Sequence, residues 1–403
     1  MSTESAPILS APPPAYTPST RAPSYSYALR DNERLVAQSP RHKARPAGSF
    51  VKKSARDTVA LSEQDPGAAV PTYGREGTVA GFVELQDREL VTAVVLQIQG
   101  KVTVGDADAT AIEHEHVFLE HSVDLWTTQT ASTGSSPPSQ LAFAYTLPAT
   151  IMVNDTKRLL PPSYTTPHTS IVYTLSVTVG RARARKFFLC TPKNNIAIRF
   201  DYRPRTRAGA AICPSAPGSF LQDVKAMPDE WRQHTHDVPA RPKSGVAPLN
   251  LQVYVPAMGV FALDERIPFH LQLAGPAASL REFYCADAHK ERLLVEVTVV
   301  RQTLVTIKSM PMFQSRSVIG RADLVTLPPG AGDIDRVSEC ASLDWSGDLR
   351  VKSGGDSGSF DAGIVKVQDF LVVDIIPVAG PKAHFDRIRH SYPIRLATDS
   401  YDT

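Results

Sequence analysis

From about Gly77 onward, apolar and polar residues alternate with a period of two in segment after segment, and no other feature limits the possible folds as strongly. Val94, Leu96, Ile98, Val102 and Val104 hold one parity, while Gln97, Gln99, Lys101 and Thr103 hold the other. Successive side chains of an extended chain point to opposite faces, so this segment reads as a strand with one dry and one wet face. The pattern returns in Tyr173, Leu175, Val177 and Val179, in Ile196, Ile198 and Phe200, and in Leu251, Val253 and Val255. It appears again in Phe269, Leu271 and Leu273, in Val295, Val297 and Val299, and in Leu371, Val373 and Ile375. Amphipathic helical windows of useful length are nearly absent. Parallel sheets with crossover helices are thereby excluded, and the expected fold is all-β, built from two antiparallel β-sandwiches.

At 403 residues the chain exceeds one sandwich of about 100 residues and suits two, with material to spare. Residues 1–72 are dominated by Pro, Ser, Ala and Arg, with few apolar side chains to bury, and read as a disordered arm dispensable for folding. A first sandwich is expected over 73–207, a Pro-rich connector with little regular structure over 208–250, and a second sandwich over 251–403. Within the arm, Arg41, Lys43, Arg45, Lys52, Lys53 and Arg56 have only Asp57 to offset them, a stretch that reads as solvated or as a peripheral contact for an anionic membrane.

The net charge of +2 gives no overall field of the kind that marks a nucleic-acid binder. Cys190, Cys213, Cys285 and Cys340 are far apart and lack CxxC spacing, so reduced thiols are expected rather than a zinc site or disulfide framework. With no signal-peptide core and no run near 18 apolar residues, the expected setting is cytoplasmic.

Several strings are ordered along the chain in a recognisable way. Gly77-Thr-Val-Ala-Gly-Phe-Val-Glu-Leu85 precedes Val95-Leu-Gln-Ile-Gln-Gly100, then Leu125-Trp126, Leu141-Ala-Phe-Ala-Tyr-Thr-Leu-Pro148 and Leu160-Pro-Pro-Ser-Tyr164. In the second block come Ile267-Pro-Phe-His-Leu-Gln-Leu273, a long strand from Leu293 to Ile307, and Val367-Gln-Asp-Phe-Leu-Val-Val-Asp-Ile375. Over roughly 73–400 this order resembles the N- and C-terminal domains of fungal arrestin-like (α-arrestin) proteins. The resemblance implies a non-enzymatic adaptor, peripheral at the plasma membrane or endosomes. Such an adaptor brings a WW-domain HECT ubiquitin ligase to a membrane transporter or receptor for ubiquitination and endocytosis. A vesicle-coat or retromer-like trafficking scaffold on the same fold, without a ligase partner, is the alternative.

The adaptor reading has its own chemistry in Pro13, Pro14 and Tyr16, a PPxY string. Prolines preset the polyproline II conformation that WW domains grip between aromatic rings, and the tyrosine anchors it. A second PPxY, Pro161, Pro162 and Tyr164, lies directly before a strongly alternating strand and is expected to be packed into the fold. Arg181, Arg183, Arg185 and Lys186 form a basic cluster suited either to solvation at a strand edge or to contact with phosphate or another anion. Arg199, Arg203, Arg205 and Arg207 form another.

Enzyme-like strings carry less. Gly355-Asp356-Ser357-Gly358 resembles a serine-protease nucleophile loop, but neither a base nor an orienting carboxylate can be assigned to it, so no catalytic residue is expected. His114 and His116 share a strand face, with His121 nearby, yet no third ligand on that face is identified; His234 and His236 in the connector read likewise. No phosphate-binding loop is present. Neither a metal nor a cofactor is expected.

Overall fold

The computed structural model describes residues 33–36, 48–105, 112–129, 136–182, 193–212, 220–284, 294–307, 310–327, 341–351 and 357–401. Strands dominate them, and the two α-helices among them, Phe220–Ala226 and Ala277–Leu280, are short. In the first sandwich, one sheet orders Thr72–Tyr73, Lys193–Tyr202, Thr169–Arg181, Val91–Gly105 and Ile112–Thr127, with Tyr164–Thr165 added beside Thr169–Arg181. The facing sheet orders Gly48–Lys53, Asp57–Gln64, Thr78–Leu85 and Gln140–Thr146. Leu175 stands opposite both Ile98 and Ile198 in adjacent ladders, so the dry parity read from sequence becomes one continuous inner face. Val94, Leu96, Ile98, Val102, Tyr173, Leu175 and Val177 are all buried there, each apolar side chain contributing about 1.5 to 3 kcal/mol by its removal from water.

Two expected boundaries are corrected. The arm expected to run to residue 72 contains the strands Gly48–Lys53 and Asp57–Gln64, and Val59 and Leu61 from the second are fully buried in the first core. Lys52, counted as part of a solvated basic stretch, donates from Nζ to the carbonyl of Ala197 at 2.7 Å. The strand Glu33–Val36 also pairs antiparallel with Arg205–Ala208. These segments escape a period-two reading because Asp57–Gln64 runs D-T-V-A-L-S-E-Q: three consecutive apolar residues followed by polar ones give no alternation to detect. In the connector, Trp231–Val238 pairs along its whole length with Leu249–Pro256 as the first strand of the second sandwich. Between the buried Trp231 and Val238 its inward positions are held by His234 and His236 rather than by aliphatic residues, which hides the strand.

The second sandwich is a single hydrogen-bonded ribbon folded over itself. Its order is Trp231–Val238, Leu249–Pro256, Arg266–Gly275, Ala341–Val351, Met310–Leu327, Val295–Ile307, Val365–Ile375, Ile388–Ala397 and Val260–Ala262, with Phe360–Asp361 beside Val365–Ile375. Met310–Leu327 makes the fold possible. Its first part pairs with Val295–Ile307 and its last part with Ala341–Val351, so the strand passes from one layer to the other. Trp345, Phe269, Leu271, Val297, Leu371, Val373 and Leu396 fill the space between the layers.

The two sandwiches meet directly. Val305, Ile364, Val365 and Val367 of the second belong to the core cluster of the first. A polar clasp adds to this contact: Arg205 pairs with Asp399, Glu33 pairs with Arg395, and the backbone N–H of Thr206 donates to the Thr398 hydroxyl at 2.8 Å. Among the described residues, no helix is long and apolar enough to cross a membrane.

Candidate functional site: the cleft between the sandwiches

The segment Leu160–Tyr164 crosses from the first sandwich toward the second. Two tyrosines fix it: the Tyr173 hydroxyl donates to the Pro161 carbonyl, and the backbone N–H of Ser163 donates to the carbonyl of Tyr202 at 2.8 Å. Pro161 and Pro162 are buried, and Tyr164 is 8 % exposed. Its hydroxyl shares a 2.8 Å hydrogen bond with the Thr303 hydroxyl of the second sandwich, and its ring meets Phe360 edge-on at 5.7 Å. This second PPxY string is an internal joint between domains, and its proline rings are not open to a WW domain.

Beside Tyr164 lies a buried charge cluster. Arg301 donates to Asp369 through Nε at 2.8 Å and Nη2 at 3.0 Å, and its Nη1 donates to the Ser357 carbonyl at 3.1 Å. The Ser359 hydroxyl donates to Asp369 at 2.7 Å and accepts the backbone N–H of Leu396 at 2.8 Å. Burial opposes the Arg301 charge, but the Asp369 carboxylate outweighs it and holds the guanidinium pKa above its ordinary value. Burial also pushes the Tyr164 phenol up.

Over this joint opens a cleft of about 480 Å³, whose polar lining includes Tyr164, Arg199, Arg203, Arg301 and Ser317. Leu263, Val318 and Val351 provide an apolar wall. Arg199 is exposed, Arg203 pairs at 2.9 Å with Asp201, which also lines the cleft, and Arg301 is buried against Asp369, so guanidinium, carboxylate and apolar surfaces face one opening.

The other expected sites lie as follows. Pro13, Pro14 and Tyr16 are outside the described residues, as are Arg183, Arg185 and Lys186. Arg181 is not a surface anion contact. Its guanidinium forks onto Asp57 at 2.9 and 2.5 Å and also reaches the Gln86 carbonyl at 3.1 Å, while Asn194 donates to the same carboxylate at 2.9 Å. Arg181 ends a central strand and continues the inward parity of Tyr173, Leu175, Val177 and Val179, which carries its side chain to the buried side. Of the second arginine cluster, Arg199 and Arg203 line the cleft while Arg205 is held by Asp399.

Ser357 is buried and its carbonyl supports Arg301. The glycine after it is required by close approach: a Cβ on Gly358 would stand 2.2 Å from the Leu396 carbonyl oxygen. His121 stacks on Tyr145 at 4.1 Å and His114 is exposed. Among the described residues, no group of three or more His, Cys, Asp or Glu side chains is placed to hold a metal ion.

One constellation has no sequence signature. His270 bonds Ser346 through Nδ1 at 2.8 Å and Asp344 through Nε2 at 3.0 Å, and Ser342 donates to Asp344 at 2.6 Å. Burial of Asp344 works against its charge, yet the hydrogen bonds from His270 and Ser342 prevail and lower its pKa. Although serine, histidine and aspartate form a chain, they lie on the outer face of a sheet. The strands Arg266–Gly275 and Ala341–Val351 are paired throughout, which occupies the backbone donors an oxyanion would need. The Phe220 ring covers the imidazole at 3.9 Å, and His270 is 1 % exposed. The arrangement fastens the helix Phe220–Ala226 to the sheet. Only the polar parity of His270, Asp344 and Ser346 is visible in sequence; their adjacency is set by register.

No family model matches the chain, and no curated protein matches it.

Proposed function

We propose that this protein is a non-enzymatic adaptor that holds an acidic segment of a membrane transporter or receptor in the cleft between its sandwiches and presents it to a WW-domain HECT ubiquitin ligase. The observation that carries the reading is the cleft itself, where Arg199 and Arg203 stand at the rim across from an apolar wall. The ligase half rests on Pro13, Pro14 and Tyr16 and on the resemblance of the strand order to α-arrestins. With Tyr164 tied to Thr303, the first PPxY string is the one left for docking. The adaptor would work at the cytoplasmic face of the plasma membrane or endosomes.

Fluorescence anisotropy with an acidic, phosphorylated peptide containing aliphatic residues tests the cargo half. Binding should weaken at least tenfold in Arg199→Glu/Arg203→Glu while thermal stability is kept, because both are surface side chains at the rim. Equal binding by the native and double-variant proteins would remove the cleft from the account and favour a trafficking scaffold.

A further inference from the structure

Among the described residues, no ladder spans the seam along which the second sandwich closes. Trp231–Val238 pairs only with Leu249–Pro256, and the first half of Ile388–Ala397 pairs only with Val365–Ile375. Between them the backbone makes a single isolated bridge, Ala240 to Phe385. Side chains fill the rest: the His236 and His390 rings stack with centroids 3.7 Å apart and planes 15° from parallel, and His234 lies against Tyr392 at 4.5 Å. All four hold the inward parity of their strands. Their ladder partners Leu251, Val253, Leu371 and Val373 are fully buried aliphatics. His236 Nε2 and the Tyr392 hydroxyl are buried with no hydrogen-bond partner among the described residues.

We propose that the stacked His236 and His390 rings form an acid-released latch: neutral imidazoles close the seam of the second sandwich, and their protonation opens it. Two imidazolium rings in this stack would repel each other with no counter-ion between them. On the same strand Arg232 adds like charge beside His234, while Asp237, at the opposite parity to His236, favours the protonated His236 ring but is outweighed by burial. Among the described residues, the ladder partners of the pair are the aliphatic Leu251 and Val373, and the neutral Tyr392, on the strand of His390, also meets His236. Asp374, with Arg387 and Arg389, belongs to the other face of its sheet, since Asp374 stands opposite Arg389 and Val373 opposite His390.

The direction of titration agrees with the geometry. Burial, with Arg232 and His236 adding to it, lowers His234 to about 4; burial also lowers His236, and burial together with His236 lowers His390. A histidine depressed in the folded state takes up fewer protons than the unfolded chain does. Its contribution to stability is therefore complete above the ordinary histidine pKa of about 6.5 and declines as pH falls from there toward the folded values.

Hydrogen exchange read by mass spectrometry on the full chain tests the latch. After correction for intrinsic rates, exchange in Trp231–Val238 and Ile388–Ala397 should accelerate at least tenfold between about pH 7.5 and about pH 5, while Val91–Gly105 in the first sandwich changes little. His236→Phe/His390→Phe keeps an aromatic stack without a titrating group and should abolish the acceleration. Protection that is independent of pH, or acceleration that persists in the double variant, would overturn the proposal. Should the double variant fail to fold, NMR titration of the native rings decides: midpoints for His236 and His390 below the ordinary histidine value support the latch, and midpoints at or above it refute it.

Discussion

Arg181 and Tyr164 show how differently two candidate residues fare once their partners are known. Arg181 sits at a strand end in a basic run and reads as a surface patch, although it holds the same parity as the buried Val179; Asp57, the carboxylate that receives it there, comes from a strand distant in sequence. Removing one member of a buried ion pair leaves the other charged and unpaired. Arg181→Ala should therefore cost about 3 to 5 kcal/mol in denaturant unfolding, and Arg181→Met/Asp57→Leu should recover most of that loss. Tyr164 was better exposed to sequence reasoning, because proline rings just ahead of a strongly alternating strand have an obvious place to pack. Tyr164→Ala should cost about 3 to 5 kcal/mol through the cavity it leaves, and Tyr164→Phe about 1 kcal/mol, the net worth of the lost hydrogen bond to Thr303. Denaturant titrations of both variants would check the pair.

At the scale of elements, long strands with strict alternation, such as Val91–Gly105 and Thr169–Arg181, are legible because one buried face dictates every second residue. Strands whose residues break that alternation are not. Asp57–Gln64 gains its place by burying Val59 and Leu61 in a core built from distant segments, and Trp231–Val238 presents histidines where aliphatics would have announced it. The consequence for truncation is opposite to the sequence expectation. A chain beginning at residue 71 lacks two strands of a four-stranded sheet together with Asp57, the partner of Arg181, and should aggregate or lose cooperative unfolding. A chain beginning at Glu33 retains both strands and the Glu33–Arg395 pair, so its melting temperature should stay within a few degrees of the full chain. Calorimetry on the two truncations separates these outcomes. The cleft was the least legible feature. Arg199 and Arg203 come from the first sandwich while Arg301 and Val318 come from the second, and no local pattern brings them together.

At the scale of the whole molecule, acid should act in two stages. The histidines of the seam lose their contribution as pH falls below about 6.5. Asp344 and Asp399 act later. Burial opposes their charge, but hydrogen bonds chiefly from His270 and Arg205, respectively, hold their pKa values below the ordinary 3.8, so what they contribute is present above that value and is lost only as pH falls through the folded ones. Chemical denaturation followed across this range should therefore show a second-sandwich transition weakening first, with the Asp399–Arg205 clasp between the sandwiches lost at lower pH. A single decline, simultaneous in both sandwiches, would contradict the separation.

Under the proposed function the two PPxY strings divide their labour: Pro13, Pro14 and Tyr16 would serve a ligase, while Pro161, Pro162 and Tyr164 are built into the joint between sandwiches. Calorimetric titration of the full chain with a purified WW domain from a HECT ubiquitin ligase, comparing native protein with Tyr16→Ala and Tyr164→Phe, tests it most directly. Binding by the native chain and by Tyr164→Phe with equal affinity, and its loss in Tyr16→Ala with the fold intact, is the predicted result. Binding that survives Tyr16→Ala, or that is lost in a folded Tyr164→Phe, would contradict it.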